Sequence, residues 1–571
     1  MKTVISILAV AAVCAMSQVY AKDYLNASEK DLQWFRDAKF GLFVHWGPIS
    51  LKGKDNVEIS FSRKGPRGGM DPNILPGIIP MEEYDNLYKQ FNPVNYNPRE
   101  WVKLAKAAHM QYIVFTTKHH DGFCMFDSKL TDYKVTNSPI GRDLTAELAQ
   151  ACHEAGMRLG LYYSPADWHH PDYGTAHHDR YIQYLHGQMR ELCSNYGKVD
   201  MIWFDGGPPP QGWDSPGMFK IIRQLQPGII LNDRGQGGLP GDFSTPETYV
   251  SSFDLDRMWE TCHTLSSPWI WHPNASIMPL KDCIQLLVRC NGRGGNLLLN
   301  VGPTPLGEID APYVARLREI GRWLDQYGES IFGTRAGPYI MGPNSCTCKG
   351  QTLYLHILDW SNPIMLPPIG RKIVGSSVLT GGKVNIQETA KGWSVTVAPA
   401  DRSEIDTIVK LGLDGPTESI KPIPAFHSGS LATGKKVRSS NYLTTSGGGR
   451  PLGAEMAPSR AVDDNDDTRW ITPSSAKRDG KQDWLEVDLE KPLTFDRAKI
   501  MECSSQVTTF NIQVKQGEEW RTIVGGTKIG DCLELKFKPV TARYVRLNLL
   551  DTATDGWNCI REFRLFAPEQ P

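Results

Sequence analysis

The sequence predicts an α/β protein: a (β/α)8-like barrel followed by two all-β sandwich domains. Three observations lead there. Over residues 22–335, short apolar runs of strand length alternate with amphipathic segments of helix length, the pattern of a parallel sheet. Beyond Arg335 the helical period stops and a period of two replaces it. The stretch 414–424, with three prolines, then divides this β-rich remainder in two.

The elements follow in order. Residues 1–21 read as an export signal. Lys2 supplies the basic start, residues 4–16 an apolar centre too short to span a bilayer, and Val19-Tyr20-Ala21 a small-residue cleavage site. Barrel strands are expected at 40–46, 112–118, 158–164, 199–205, 228–232 and 296–301. Helices are expected at 98–109, 143–155, 179–196, 217–226 and 280–290. About 310 residues arranged in this way suit an eight-stranded barrel with long loops. The Gly/Pro-rich loop 64–80 cannot build a core and is expected to lie over the barrel mouth. The first sandwich, 336–413, has candidate strands at 352–358, 372–379, 383–387, 394–397 and 408–411. Residues 414–424 read as a linker, and 425–571 as a second β unit without helices.

Composition bounds the function. A formal net charge of -1 offers no basic field for nucleic acid or an anionic membrane. No segment after the signal is apolar enough for a membrane helix. Sixteen Trp and twenty Tyr suit stacking against the C–H faces of sugars, although large cores also use aromatics. Of twelve cysteines, Cys14 falls in the signal; the rest are irregularly spaced, which argues for mostly free, buried thiols.

Chemistry concentrates at the carboxyl ends of the expected strands, where barrel active sites form. These ends read Phe43-Val44-His45-Trp46-Gly47, Thr117-Lys118-His119-His120-Asp121, Leu161-Tyr162-Tyr163-Ser164, Trp203-Phe204-Asp205-Gly206 and Leu231-Asn232-Asp233-Arg234. One histidine at a strand end is usually structural. Five such ends together make a polar pocket with aromatic walls, able to donate to and accept from sugar hydroxyls. Glycoside cleavage with retention needs two carboxyl groups about 5–5.5 Å apart. Asp205, held by a strand and followed by two glycines, suits the nucleophile. The acid is Glu247, in Asp242-Phe243-Ser244-Thr245-Pro246-Glu247, or Glu260, in Met258-Trp259-Glu260-Thr261-Cys262. A metal reading of His45, His119, His120 and Asp121 is disfavoured, because adjacent residues of an extended strand point to opposite faces. His169-His170 and His177-His178 are expected to be solvated or to face substrate.

These motifs, in this order, closely resemble glycoside hydrolase family 29, the retaining α-L-fucosidases, from about Trp34 to Phe332. Gly294-Gly295-Asn296-Leu297-Leu298-Leu299-Asn300-Val301-Gly302-Pro303 completes the match. The resemblance implies Asp205 as nucleophile. It places His45, His119, His120, Tyr162, Trp203 and Arg234 around fucose, with Trp269 a wall for its methyl group. The Thr245-Pro246-Glu247 motif is similar to the branch in which this Glu is the acid/base. Many members carry a Glu-Trp pair after the first strand; here Glu58 keeps the carboxylate, but Ile59 follows it. Residues 425–567 resemble the discoidin-like (coagulation factor 5/8 C-type) sandwich, through Ala461-Val462-Asp463-Asp464-Asn465-Asp466-Asp467-Thr468-Arg469-Trp470 and Ile560-Arg561-Glu562-Phe563. That resemblance implies sugar binding and a structural Ca²⁺ on Asp463, Asp466 and Glu562, with Asp464 in place of the usual Gly. The expectation is an exported (periplasmic or secreted) retaining exo-α-L-fucosidase. It would act on fucosylated glycans and need no cofactor for catalysis. The alternatives are a carbohydrate-binding protein with an inactive barrel, and a glycosidase for a galactose-like sugar.

Overall fold

The computed structural model describes residues 25–53, 79–235, 239, 241–251, 253, 255, 257–360, 364–390, 392–417, 420–425, 428–444, 456–466, 468–473, 482–503, 506–553 and 557–568. The chain divides into two units. The first comprises 1–248, 257–283 and 296–328; the second comprises 249–256, 284–295 and 329–571.

Eight parallel strands form the first unit: β1 (Phe40–Val44), β2 (Tyr112–Lys118), β3 (Arg158–Tyr163), β4 (Met201–Phe204), β5 (Ile230–Leu231), β6 (Phe243–Ser244), β7 (Met258–Thr264) and β8 (Asn296–Val301). Their order is β5-β4-β3-β2-β1-β8-β7-β6, and a parallel bridge between Asn232 and Phe243 joins the two ends into a barrel. β1, β2 and β8 are buried at every residue, so they read as unbroken apolar runs rather than alternating ones. Helices Pro98–Ala107, Leu144–Ala155, His178–Asn195 and Ser215–Leu225 connect successive strands. Local chemistry sets their ends. The Asp143 side chain accepts from the Ala146 N–H at the start of one helix, and Gly156, at φ 65°, closes it in the left-handed conformation that glycine adopts freely.

Helix Glu29–Ala38, unforeseen in the sequence, buries Leu32 and Phe35 in the same cluster as Tyr112, Met201 and Phe243. Its Phe35 ring lies 4.7 Å from that of Phe243. Helix Ala311–Tyr327, capped by Asp310, is a second addition. β6 and β7 complete the set of eight; β6 is two residues long, too short to show any periodicity.

The two sheets of the first sandwich, in the second unit, are antiparallel. A five-stranded sheet runs Ile373–Val378, Thr407–Leu413, Thr352–Ile357, Ser345–Lys349, Arg335–Ala336, and a three-stranded sheet runs Ile364–Leu366, Gly392–Val397, Val384–Thr389. Leu353, Leu355, Val395, Val409 and Leu411 fill the core of this sandwich. The expected linker is not loose. Ile423–Pro424 pairs with Tyr339–Ile340, the Asp414 N–H donates to the Lys372 carbonyl, and the Thr417 N–H to that of Gly350. The last sandwich is built on two 20-residue strands, Asp483–Glu502 and Leu533–Thr552, whose pairing shifts register near their middles. Trp470, Leu485, Val487, Val545, Leu547 and Phe563 form its core. Cys503 and Cys559 form a disulfide, a pairing that the expectation of mostly free thiols missed. The other nine described cysteines stand outside this bond, and all but Cys532 are buried. No described helix is long and apolar enough to cross a membrane.

Candidate active site

Asp205 sits one residue beyond β4. Its position is set by Asn232, which follows β5. The Phe204 N–H donates to Asn232 Oδ1, and Asn232 Nδ2 donates to the Phe204 carbonyl, both at 2.9 Å. This buried amide does what a ladder of backbone bonds would do where β5 is too short. Gly206 follows at φ 96°. A Cβ there would lie 3.1 Å from both Ala166 Cβ and His120 Cε1, so glycine is what lets the turn pass under the imidazole.

Three groups converge on the Asp205 carboxylate. Tyr162 Oη donates to Oδ2 at 2.8 Å, Arg234 Nη1 donates to Oδ1 at 2.8 Å, and His120 Nε2 lies 3.8 Å from Oδ2. Burial alone would raise the Asp205 pKa. The guanidinium, the imidazole and the phenol outweigh it and hold the carboxyl well below the usual carboxylate range. Asp205 is therefore ionised, as a nucleophile must be.

Arg234 lies in the turn after β5, and its whole fork is engaged. Nε donates to Thr245 Oγ1 at 2.8 Å and Nη2 to the Thr245 carbonyl at 2.9 Å. Nη1 also donates to Glu247 Oε2 at 2.9 Å. Asp205 Oδ1 and Glu247 Oε2 thus share one nitrogen and cannot be more than 5.7 Å apart, the sum of the 2.8 and 2.9 Å bonds. That limit admits the separation of about 5–5.5 Å used by retaining glycosidases. Glu247 is not on a free loop: a parallel bridge ties it to Cys262 of β7, and the Thr248 N–H donates to the Cys262 carbonyl at 2.9 Å. Its side chain is 44% exposed.

Glu260 lies elsewhere. It is wholly buried on β7, accepts from Trp203 Nε1 at 3.0 Å and from the Tyr112 hydroxyl, and burial pushes its pKa up to about 7. It anchors Trp203, whose ring lies 4.7 Å below the Arg234 guanidinium and stacks on Tyr162 at 5.6 Å.

The histidines line the same pocket. The His45 N–H donates to Asn300 Oδ1 at 3.1 Å, and His45 Nδ1 lies 2.7 Å from that oxygen. Asn300 Nδ2 donates to the Trp269 carbonyl, so the amide oxygen is the acceptor and Nδ1 carries the proton. Burial lowers the His45 pKa to about 4 and that of His119 well below its ordinary value. The Trp269 ring lies 5.0 Å from His45. His119 stacks on Tyr162 at 5.2 Å, and His120 Nδ1 lies 2.6 Å from Ser164 Oγ.

Several expectations need correction. His119 and His120 do not point to opposite faces. β2 ends at Lys118, the chain turns there, and the two rings lie 4.2 Å apart. With Asp205 they are the one set of His, Cys, Asp or Glu side chains, among the described residues, whose ligand atoms lie within 4.8 Å of each other. Asp121 is not part of the pocket; it accepts from the Tyr84 hydroxyl at 2.9 Å in the core. Nor are the later histidines all solvated. His178 is buried, with Nδ1 accepting the Gly174 N–H at 3.0 Å and Nε2 lying 2.7 Å from the Gly212 carbonyl. His169 stacks on Tyr133 at 4.0 Å. Glu58 and residues 1–21 lie outside the described residues. Asn232, Thr245, Ser164 and Asn300 were given no role in the reading of the sequence because each acts on another side chain or on backbone, although all four stand inside motifs singled out there. A cavity of about 480 Å³ opens beside His120, lined by Trp168, Tyr173, Gly206 and Pro208 to Pro210.

Comparisons with known proteins give the family. Residues 7–329 match the model of the Alpha-L-fucosidase family, and 437–563 match that of the F5/8 type C domain. The tissue alpha-L-fucosidase of Bos taurus is 30% identical over 407 residues, covering 67% of this chain and 86% of that protein. Alpha-L-fucosidase isoenzyme 1 from Paenibacillus thiaminolyticus superposes with a TM-score of 0.59 at 36% identity, over 68% of this chain and 99% of that one. The alpha-L-fucosidase from Vibrio sp. strain EJY3 shares the fold over 95% of this chain and 99% of its own, with a TM-score of 0.65 at 21% identity.

Proposed function

Because the chain belongs to the alpha-L-fucosidase family of glycoside hydrolases, we propose that it releases terminal fucose from fucosylated glycans by double displacement, with Asp205 as nucleophile and Glu247 as acid/base. The observation that carries this reading is the shared Arg234 nitrogen, which keeps the two carboxyl oxygens within a distance that admits the spacing such chemistry uses. Asp205 attacks the anomeric carbon while Glu247 gives its proton to the leaving oxygen. The glycosyl ester so formed is broken by water, which Glu247, now a carboxylate, deprotonates.

The electrostatics support a division of labour. The Arg234 and Tyr162 donors keep Asp205 charged and aimed. Arg234 also holds Glu247 Oε2 through the same Nη1 that binds Asp205. His45, His119 and His120 are neutral around neutral pH, since burial depresses all three. They serve as hydrogen-bonding groups for sugar hydroxyls, with Trp203 and Trp269 as apolar walls. The charge of Asp205 is already met by Arg234, which favours a sugar over a metal ion beside His119 and His120. Glu58 completes the substrate set on sequence grounds. Export is supported by the signal-like residues 1–21 and by the Cys503–Cys559 disulfide, a bond of oxidising compartments.

The Asp205→Ala variant tests the reading. Its kcat on an aryl α-L-fucoside is expected to fall at least about a thousandfold. A folded variant within tenfold of the parent would remove Asp205 from the chemistry.

A further inference from the structure

The cavity of about 480 Å³ beside His120 has no part in the chemistry described above. It shares His120 and Gly206 with the surroundings of Asp205, and His120 Nε2 lies 3.8 Å from Asp205 Oδ2. A terminal fucose has one connection to the rest of its glycan, through the anomeric carbon that Asp205 attacks. Whatever part of a substrate enters this cavity therefore lies beyond fucose and is joined to it through that carbon.

Two loops build the walls. One follows β3 and is framed by a buried ion pair: Lys118 Nζ donates to Asp167 Oδ2 at 3.0 Å, with Lys118 wholly buried and Asp167 1% exposed. Asp167 Oδ1 accepts the His169 N–H at 3.0 Å and the His170 N–H at 2.8 Å. The Trp168 N–H donates to the His120 carbonyl at 2.8 Å, and the half-buried indole lies 5.1 Å from the imidazole. The other loop follows Asp205. Pro208, Pro209 and Pro210 restrict its φ angles and remove N–H donors from it. The loops meet at two points. Tyr173 Oη donates to the Gly207 carbonyl at 3.3 Å, and a Cβ on Gly174 would lie 3.6 Å from Pro209 Cβ. The enclosed volume falls within the range of small-molecule sites.

The lining narrows the ligand. Trp168, Tyr173 and the prolines offer apolar surface on which the C–H face of a pyranose can lie. No described residue of the lining carries a formal charge at neutral pH, His120 being kept neutral by burial. A carboxylate or sulfate brought into the cavity would find no counter-charge in the wall, and an unpaired charge is costly to desolvate. The nearby Asp205 carboxylate would also repel it.

We propose that this cavity binds the glycan beyond fucose, that it takes an uncharged sugar there, and that Trp168 is its stacking wall. The proposal rests on the reading of Asp205 and Glu247 given above, and it makes Trp168 a specificity-determining residue. Binding energy from a remote part of a substrate can lower the barrier at the reacting centre, so the effect belongs in kcat/KM for oligosaccharides.

The test compares two substrates on the full-length protein: α-L-fucosyl fluoride, which has nothing beyond fucose, and the neutral fucosylated trisaccharide that the parent cleaves fastest. In Trp168→Ala the ratio of kcat/KM for the trisaccharide to that for the fluoride is expected to fall at least about tenfold. Trp168→Phe, which keeps a ring, is expected to restore part of it. A Trp168→Ala ratio within twofold of the parent's overturns the proposal. The fluoride alone tests the underlying reading: a parent that does not hydrolyse it refutes the Asp205–Glu247 assignment, whereas the ratio speaks only to the cavity. One arm needs no variant. Sulfation of the sugar next to fucose should lower the parent's kcat/KM at least about tenfold; equal or faster cleavage of the sulfated trisaccharide would show that the cavity does not select an uncharged sugar.

Discussion

Glu260 and Glu247 show how environment separates two carboxyl groups 13 residues apart in sequence. Glu260 is wholly buried and accepts from Trp203 and Tyr112, and burial raises its pKa to about 7 from an ordinary 4.5. The folded state therefore keeps a proton that the unfolded chain releases between those values. This stabilisation is complete below about pH 4.5 and is lost as pH rises through about 7, an effect of roughly 3 kcal/mol. His45 works the other way. Its pKa is depressed to about 4, so the unfolded state binds the extra proton and stability falls as pH drops from about 6.5 toward 4. Glu260→Gln isolates the first contribution, since the amide can still accept from Trp203 and donate to Tyr112. Relative to the parent, its unfolding midpoint should gain as pH rises from 4.5 to 8, while most activity on an aryl fucoside is kept at pH 6. A tenfold loss of kcat at pH 6 would return Glu260 to the chemistry.

At the scale of elements, the catalytic end of the barrel depends on strands too short to hold themselves. β5 and β6 have two residues each, and the Asn232 amide supplies the bonds that fix the end of β4 ahead of Asp205. Asn232→Ala leaves a buried N–H and carbonyl of Phe204 without these partners, a cost of about 1–3 kcal/mol. Chemical unfolding should register that loss, and kcat should fall with it as Asp205 loses its support; an unchanged kcat would contradict the role given to Asn232. The same shortness decides what could be read in advance. β2 and β8 fall where their apolar runs predict, at 112–118 and 296–301, because long buried strands carry their signal in composition. A two-residue strand has no period, so β6 was invisible, and so was the single bridge that pins Glu247 to β7. The chain's turn after Lys118, which sets His119 and His120 side by side, likewise leaves no trace in a run of polar residues. Asp205, His45, Tyr162 and Arg234 were legible because each ends or follows an apolar run; Asn300 stood in a recognised motif, but its bond to His45 spans 255 residues.

For the molecule as a whole, the groups proposed for catalysis, Asp205, Glu247 and Arg234, belong to the first unit, and the disulfide belongs to the second. Cys503 and Cys559 are 56 residues apart, and removing such a cross-link costs about 2–4 kcal/mol. The Cys503→Ser, Cys559→Ser double variant should unfold earlier in denaturant, while kcat/KM on a small aryl fucoside stays within twofold. A matching loss of kcat/KM would mean that the two effects are not separable. This pairing could not be read from the sequence, since eleven cysteines beyond the signal permit many partners and only the register of distant strands chooses one. The order of the domains was legible, because the switch from helical period to period two is a property of long segments rather than of single contacts.

The most direct test of the Asp205–Glu247 pair is the stereochemistry of azide rescue, followed by NMR on an aryl α-L-fucoside. With Glu247→Ala, azide should attack the fucosyl ester on Asp205 and release the α-azide, with configuration retained. With Asp205→Gly, azide should replace the missing carboxylate and give the β-azide. Rescue of Glu260→Ala with none for Glu247→Ala, or the same anomer from both carboxylate variants, would contradict the assignment.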